Sequence, residues 1–191
     1  MSIVFVIMGA LGSDKAPILN LACKLLDGLK LAVPYTTRTS RIADQQNFGG
    51  RASEFFFTSR EAFERMIEND EFLEYASAFD NYYGTPSRYL QEARENGNDL
   101  MIQLDPGGVE TIKQKVPDAP SILILPGKLA EDSGTSGSSI HSRPHSLAQR
   151  TSSRLRMPDH DKYDKVIINE GIEQSANELI AFIRSERLRR S

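Results

Sequence analysis

Residues 3–26 read IVFVIMGALGSDKAPILNLACKLL, and the way this stretch divides decides the fold. Ile3–Met8 is a continuous apolar run rich in β-branched residues, the pattern of a strand covered on both faces in a parallel sheet. From Ala16 to Leu29 apolar residues return at helical spacing, at Ile18, Leu19, Ala22, Leu25 and Leu26. Pro17 fits such a helix only in its first turn, where its missing N–H has no intrahelical partner. Between strand and helix stand Gly9, Ala10, Leu11, Gly12, Ser13, Asp14, Lys15 and Ala16.

A strand–GxxxxGK[ST]–helix unit holds polyphosphate because loop N–H groups and the helix N-terminus meet the phosphate oxygens. Its lysine neutralises their charge, and its hydroxyl binds a metal ion. Gly9, Gly12 and Lys15 fit that pattern. Asp14 replaces the glycine expected before the lysine, Ala16 replaces the hydroxyl, and Pro17 deletes a main-chain donor. Asp14 also brings negative charge toward a polyanion. Each change costs about 1–3 kcal/mol of lost or unfavourable interaction. On its own residues the segment reads as a strand-to-helix turn with an exposed lysine.

The same alternation continues along the chain. Leu100–Leu104, Ile122–Leu125 and Lys165–Asn169 read as further buried strands. Helical segments are expected over Thr58–Asn69, with a capping box from Thr58 to Glu61, and over Pro86–Asn96, Gly107–Lys115 and Ile172–Arg190. Strands alternating with helices imply an α/β fold with a parallel sheet flanked by helices. Tyr35–Phe79 departs from this rhythm: an arginine-rich turn, an aromatic strand at Glu54–Phe57, a helix and a short strand at Leu73–Ala76. It reads as a small β-containing insertion. Glu131–Ser146, EDSGTSGSSIHSRPHS, has Ile140 as its one strongly apolar side chain, so burial cannot offset its ordering entropy and a mobile flap is expected.

Composition narrows the function. With 191 residues, 39% hydrophobic and 26% charged, the chain suits one soluble domain with a real core. A net charge of −3 argues against a nucleic-acid partner. No run approaches the ~18 apolar residues of a membrane span. A lone cysteine, Cys23, expected to be buried in the first helix, suits a reducing cytoplasm. His141 and His145 lie four apart with no cysteine or fixed helix nearby, so no metal site is assigned to them.

Five short motifs carry a resemblance: PYTTRTSR (Pro34–Arg41), EFFF (Glu54–Phe57), EFLEYA (Glu71–Ala76), NYYGTP (Asn81–Pro86) and QLDPGG (Gln103–Gly108). From these the sequence resembles the guanylate kinase family of P-loop nucleoside monophosphate kinases. The resemblance runs from Ile3 to about Pro126 and resumes near Arg150 through KYDKVIINE. It implies one domain with three parts: a P-loop core (1–33, 87–126 and 158–191), a GMP-binding part (34–86) and a mobile lid (127–157). It implies the reaction ATP + GMP to ADP + GDP, with Mg2+ accompanying ATP.

Carried over by position, Arg38 and Arg41 match the arginines that grip the GMP phosphate, a task suited to forked planar donors. Glu74 matches the carboxylate that accepts from guanine N1–H and its amino group; by spacing alone it reads equally as part of a solvated strand face. Tyr83 matches a tyrosine reaching the GMP phosphate, although Tyr82 and Tyr83 also read as core aromatics. Thr85 matches the hydroxyl at the base, and Asp105 the second acid of an Asp-x-Asp pair.

The departures are as informative. Pro34 replaces a serine, Phe55 a phosphate-binding tyrosine and Gln103 the first acid of Asp-x-Asp. The Ser/Gly-rich flap replaces an arginine-rich lid, with Arg150 and Arg154 as its candidate remaining arginines. The losses fall mainly on the ATP side, around Lys15 and the lid. Since phosphoryl transfer depends on positioning and electrostatic stabilisation, weak or absent catalysis is expected. The alternative is a non-catalytic module that binds GMP or a phosphorylated peptide in the GMP-type pocket.

Overall fold

The computed structural model describes residues 2–9, 13, 15–40, 55–104, 106–127 and 160–190. Two sheets organise them. The first has five strands in the order β2-β7-β1-β8-β9, all parallel: β1 Val4–Gly9, β2 Leu29–Leu31, β7 Asp99–Gln103, β8 Ser121–Pro126 and β9 Lys165–Asn169. The second has four, ordered β4-β3-β6-β5: β3 Tyr35–Thr36, β4 Phe56–Phe57, β5 Phe72–Ala78 and β6 Asn81–Pro86. Among the described residues the α-helices are α1 Lys15–Leu25, α2 Arg60–Glu68, α3 Arg88–Glu95, α4 Pro106–Lys115 and α5 Ile172–Arg189.

β1 lies in the middle of the parallel sheet because both of its faces are apolar. Ile3, Phe5 and Ile7 enter one core with Ile18, Leu19 and Ala22 of α1 and Leu179, Ile180 and Ile183 of α5. Val4 and Val6 enter the other with Ala93 of α3 and Ile112 of α4. Strand period two thus divides one apolar run between two helical layers. Paired to β7 on one side and β8 on the other, β1 ends with Gly9 beside Ile124. Gly9 therefore stands at the carboxyl edge of the sheet, where strand order changes direction and α/β proteins form ligand crevices.

Several boundaries move from the sequence expectation. The first helix ends at Leu25, not Leu29, because Gly28 adopts a left-handed φ of 72° and turns the chain into β2. Ser59, not Thr58, caps α2, its hydroxyl accepting from Ala62 N–H at 3.1 Å. Cys23 is half-buried at the margin of the α1 core rather than fully inside. β6 was concealed within NYYGTP, whose turn-like Gly and Pro mask the strand. Its hairpin with β5 turns at Phe79 and Asp80, both left-handed, held by Arg60 Nη2 donating to the Asp80 carbonyl and Asn81 Nδ2 to that of Phe79.

Two carboxylates join distant chain segments. Asp99, 5% exposed, accepts from Ile3 N–H at 2.8 Å and from Arg187 Nε at 2.7 Å, tying the N-terminal strand to the end of α5. Asp164 accepts from the N–H and hydroxyl of Ser121 at 2.7 and 2.8 Å, setting the start of β9 beside that of β8. No helix among the described residues is long and apolar enough to cross a membrane.

Burial acts against an ionised Asp164, but the two Ser121 donors and the Lys113 charge outweigh it and hold the carboxyl below its ordinary range. A carboxyl lowered on folding stabilises the protein above its unfolded pKa, and that stabilisation fades as pH falls through the folded pKa. Urea titrations of wild type and Asp164→Asn should therefore differ in midpoint at pH 7 and converge in acid below about pH 4. A difference independent of pH would contradict the assignment.

Candidate functional site

The second sheet presents two chemically different faces. Paired residues Tyr75, Gly84, Tyr35 and Phe56 form a row on the face that carries α2. There Phe63 of α2 stacks on Phe72 and Tyr82, with ring centroids 4.3 and 5.2 Å apart. Gly84 is required by this packing: a Cβ would lie 2.8 Å from Tyr75 Cβ and 2.9 Å from Phe72 Cδ1. The next row, Ala76, Tyr83, Thr36 and Phe57, faces the other way. So the adjacent tyrosines are divided, Tyr82 into the α2 core and Tyr83 onto the opposite face.

That opposite face gathers most of the described acceptor residues expected from the sequence. The Arg38 guanidinium lies 5.5 Å from the centroids of both Phe55 and Phe57, and Phe55 meets Tyr83 edge-on at 5.9 Å. Glu74 pairs directly with Thr85 across β5 and β6. A register shift between Phe72 and Glu74 breaks the simple alternation, which is why spacing alone made Glu74 look solvated. Glu74 is 8% exposed and Thr85 1%. Gln103 ends β7 opposite Ile7 of β1, at the same carboxyl edge as Gly9.

The two threonines of PYTTR explain how Arg38 is aimed. Thr36 Oγ1 donates to the Tyr82 carbonyl at 2.9 Å and accepts from Arg38 N–H at 3.1 Å. Thr37 Oγ1 accepts from Tyr82 N–H at 2.9 Å. These bonds lace β3 to β6 and deliver the arginine beside Phe55. Arg38 Nη1 donates to Thr39 O at 3.1 Å.

The donor side is built around Gly9. Lys15, the first residue of α1, donates from Nζ to the Gly9 carbonyl at 2.9 Å. A Cβ on Gly9 would run into the Lys15 side chain and lie 2.7 Å from Ser13 Oγ, so glycine lets the lysine fold back over it. Ser13 Oγ is buried without a hydrogen-bond partner among the described residues, and its residue is 1% exposed. Lys15 and Ser13 are suited to a phosphate group. Ala16 and Pro17 occupy the first turn of α1 and supply neither a metal-binding oxygen nor a second N–H. The residues described here thus fit a phosphate but not the magnesium that accompanies ATP in this chemistry. Ala10, Leu11, Gly12, Asp14, Arg41, Asp105, Arg150 and Arg154 lie outside the described residues.

One residue of this region escaped the sequence reading. Asn169, at the end of β9, donates from Nδ2 to the Ser13 carbonyl at 3.1 Å. Its Oδ1 accepts from the Ser175 hydroxyl at 3.1 Å, and its carbonyl from Gly127 N–H at 2.9 Å. It joins the glycine–lysine segment, the root of the 127–157 segment and the first turn of α5. An amide ending an apolar strand, in KVIIN, was the available signal.

A central parallel strand running through Gly9 to a lysine-headed helix, with a second sheet presenting an arginine and a buried glutamate, defines a P-loop-type nucleotide kinase fold. The guanylate kinase family model matches residues 2–186. Guanylate kinase of Koribacter versatilis is 34% identical over 98% of this chain and 80% of its own length. That of Clostridioides difficile is 33% identical over 97% of this chain and 88% of its own. The crystal structure of guanylate kinase from Anaplasma phagocytophilum superimposes with a TM-score of 0.68, covering 97% of this chain and 86% of that one at 24% identity. The chain belongs to the guanylate kinase family.

Removing the Asn169 amide leaves the Ser13 carbonyl and Ser175 hydroxyl without their partner. Asn169→Ala should lower unfolding stability by about 1–2 kcal/mol, and Ser175→Ala by about half as much. Denaturant midpoints check both; unchanged midpoints would remove Asn169 from the framework of the site.

Proposed function

We propose that this chain binds GMP on the face of the second sheet and carries out the family's transfer of a phosphoryl group from ATP to GMP only weakly. The observation that carries this reading is an asymmetry. The described acceptor residues are assembled around a braced arginine and a buried carboxylate, whereas Lys15 reaches back to its own loop and Ala16 brings no metal-binding oxygen.

In this reading Arg38, with Arg41, holds the GMP phosphate by forked, charge-assisted hydrogen bonds, and Tyr83 adds a hydroxyl to it. Phe55 keeps an aromatic wall against Arg38 but offers no hydroxyl. Glu74 accepts from guanine N1–H and its amino group, which adenine cannot match, and Thr85 contacts the base. Lys15 neutralises donor phosphate charge, with Arg150 and Arg154 contributing from the lid segment and Asp105 and Gln103 closing the acceptor end. Magnesium would offset donor phosphate charge, but Ala16 has no side-chain oxygen to hold it.

The same asymmetry supports a second reading, a non-catalytic module that binds GMP or a phosphorylated peptide. A coupled ADP-release assay separates the two. Slow turnover that requires both nucleotides supports the kinase, whereas GMP binding without turnover supports the module. Turnover at an ordinary kinase rate of about 1–100 per second would overturn the impaired-donor proposal. Asp14→Gly, Ala16→Ser and Pro17→Thr together restore a glycine, a hydroxyl and a main-chain donor. At about 1 kcal/mol or more each, they should tighten ATP binding by about 100-fold or more. Unchanged ATP affinity would show that these three positions are not the cause.

A further inference from the structure

Gly108 is the third residue of α4 (Pro106–Lys115). A Cβ at this position would lie 3.3 Å from Glu74 Oε2, 3.2 Å from Leu104 Cδ2 and 3.4 Å from Leu104 Cβ. The first two distances are tighter than side chains normally accept. Glycine in a helix is unfavourable relative to alanine, so its presence calls for a local reason. Glu74 provides one. Its carboxylate belongs to a buried residue of β5, displaced by the register shift after Phe72, and comes against the opening turn of α4. The opening turn carries the positive end of the helix dipole, which favours a carboxylate. Pro106 has no N–H, so main-chain donors begin only at Gly107 and Gly108.

We propose that Gly108 is a positioning residue for guanine recognition: its missing side chain lets the Glu74 carboxylate stand against the opening turn of α4, in the orientation that meets the base. This rests on the assignment of Glu74 to guanine made above. Gly108 touches no nucleotide in this account. It acts by leaving space where a Cβ would press on the carboxylate and on Leu104, so the opening of α4 and the middle of β5 together set base preference.

Binding calorimetry with GMP and IMP tests it, since IMP keeps N1–H and lacks the amino group. Gly108→Ala should weaken GMP about tenfold, the size of one lost hydrogen bond to a charged group, and weaken IMP less. The GMP-to-IMP preference then shrinks. In a Glu74→Gln background, Gly108→Ala should change neither affinity further. A purely structural role would weaken both nucleotides equally and persist in that background, which would overturn the proposal. Leu104→Val combined with Gly108→Ala removes the leucine Cδ contact and supplies a relieved variant should the single alanine not fold. Its GMP-to-IMP preference should stay reduced; recovery of wild-type preference would assign the effect to Leu104 and overturn the proposal. If Glu74→Gln lowers the preference but Gly108→Ala does not, the Gly108 proposal fails and the guanine assignment stands. If Glu74→Gln leaves the preference unchanged, both fail.

Discussion

Burial of β1 on both faces is the constraint on which the rest depends. Its odd-numbered side chains pack under α1 and α5 and its even-numbered ones under α3 and α4, so it can occupy only the interior of the sheet. Parallel pairing to β7 and β8 then fixes where it stops. Gly9 arrives at the carboxyl edge, and Lys15 must begin α1 within a few residues of it. A one-residue slip of β1 would reverse its faces and carry Gly9 away from Ser13 and Lys15. Core packing therefore places the glycine–lysine segment before any ligand is considered.

The second sheet solves a different problem. It must cover an aromatic core under α2 and still present polar groups on its other side. Strand alternation achieves this within single motifs: Tyr82 and Tyr83 diverge, and Gly84 makes room for Tyr75 and Phe72. Thr36 and Thr37 are braces for Arg38 rather than ligands, because their hydroxyls are taken by the backbone of Tyr82 and Arg38. Preorganisation of this kind lowers the ordering cost of binding. The segment after β1 shows the opposite arrangement, with Lys15 turned to a main-chain carbonyl and the Ser13 hydroxyl buried without a partner among the described residues.

Much of this was legible in the amino acids, for identifiable reasons. The continuous apolar runs at Val4–Met8, Leu100–Ile102 and Ile122–Leu125 announce parallel strands because burial on two faces leaves no polar alternation to confuse. The shorter elements were not legible. β2 and β3 are set by pairing partners distant in sequence, and no local period marks two or three residues, whereas β6 was masked by its glycine and proline. Glu74 looked like a solvated face because the irregularity at Phe72 is a tertiary event. Arg38 was visible as an arginine in a polar turn, but the threonine bonds that direct it were not. Asn169 and Gly108 carried no warning beyond their residue types, since their roles exist only where β9 meets Ser13 and α4 meets β5.

As proposed above, the acceptor and donor sites have diverged in quality while sharing one fold. Equilibrium titration of the unmodified protein with GMP, and separately with ATP and magnesium, addresses it most directly. A saturable GMP isotherm is expected, with ATP the weaker ligand because three losses of about 1 kcal/mol or more each cost its loop about two orders of magnitude or more. Equal affinities, or ATP binding more tightly than GMP, would contradict it.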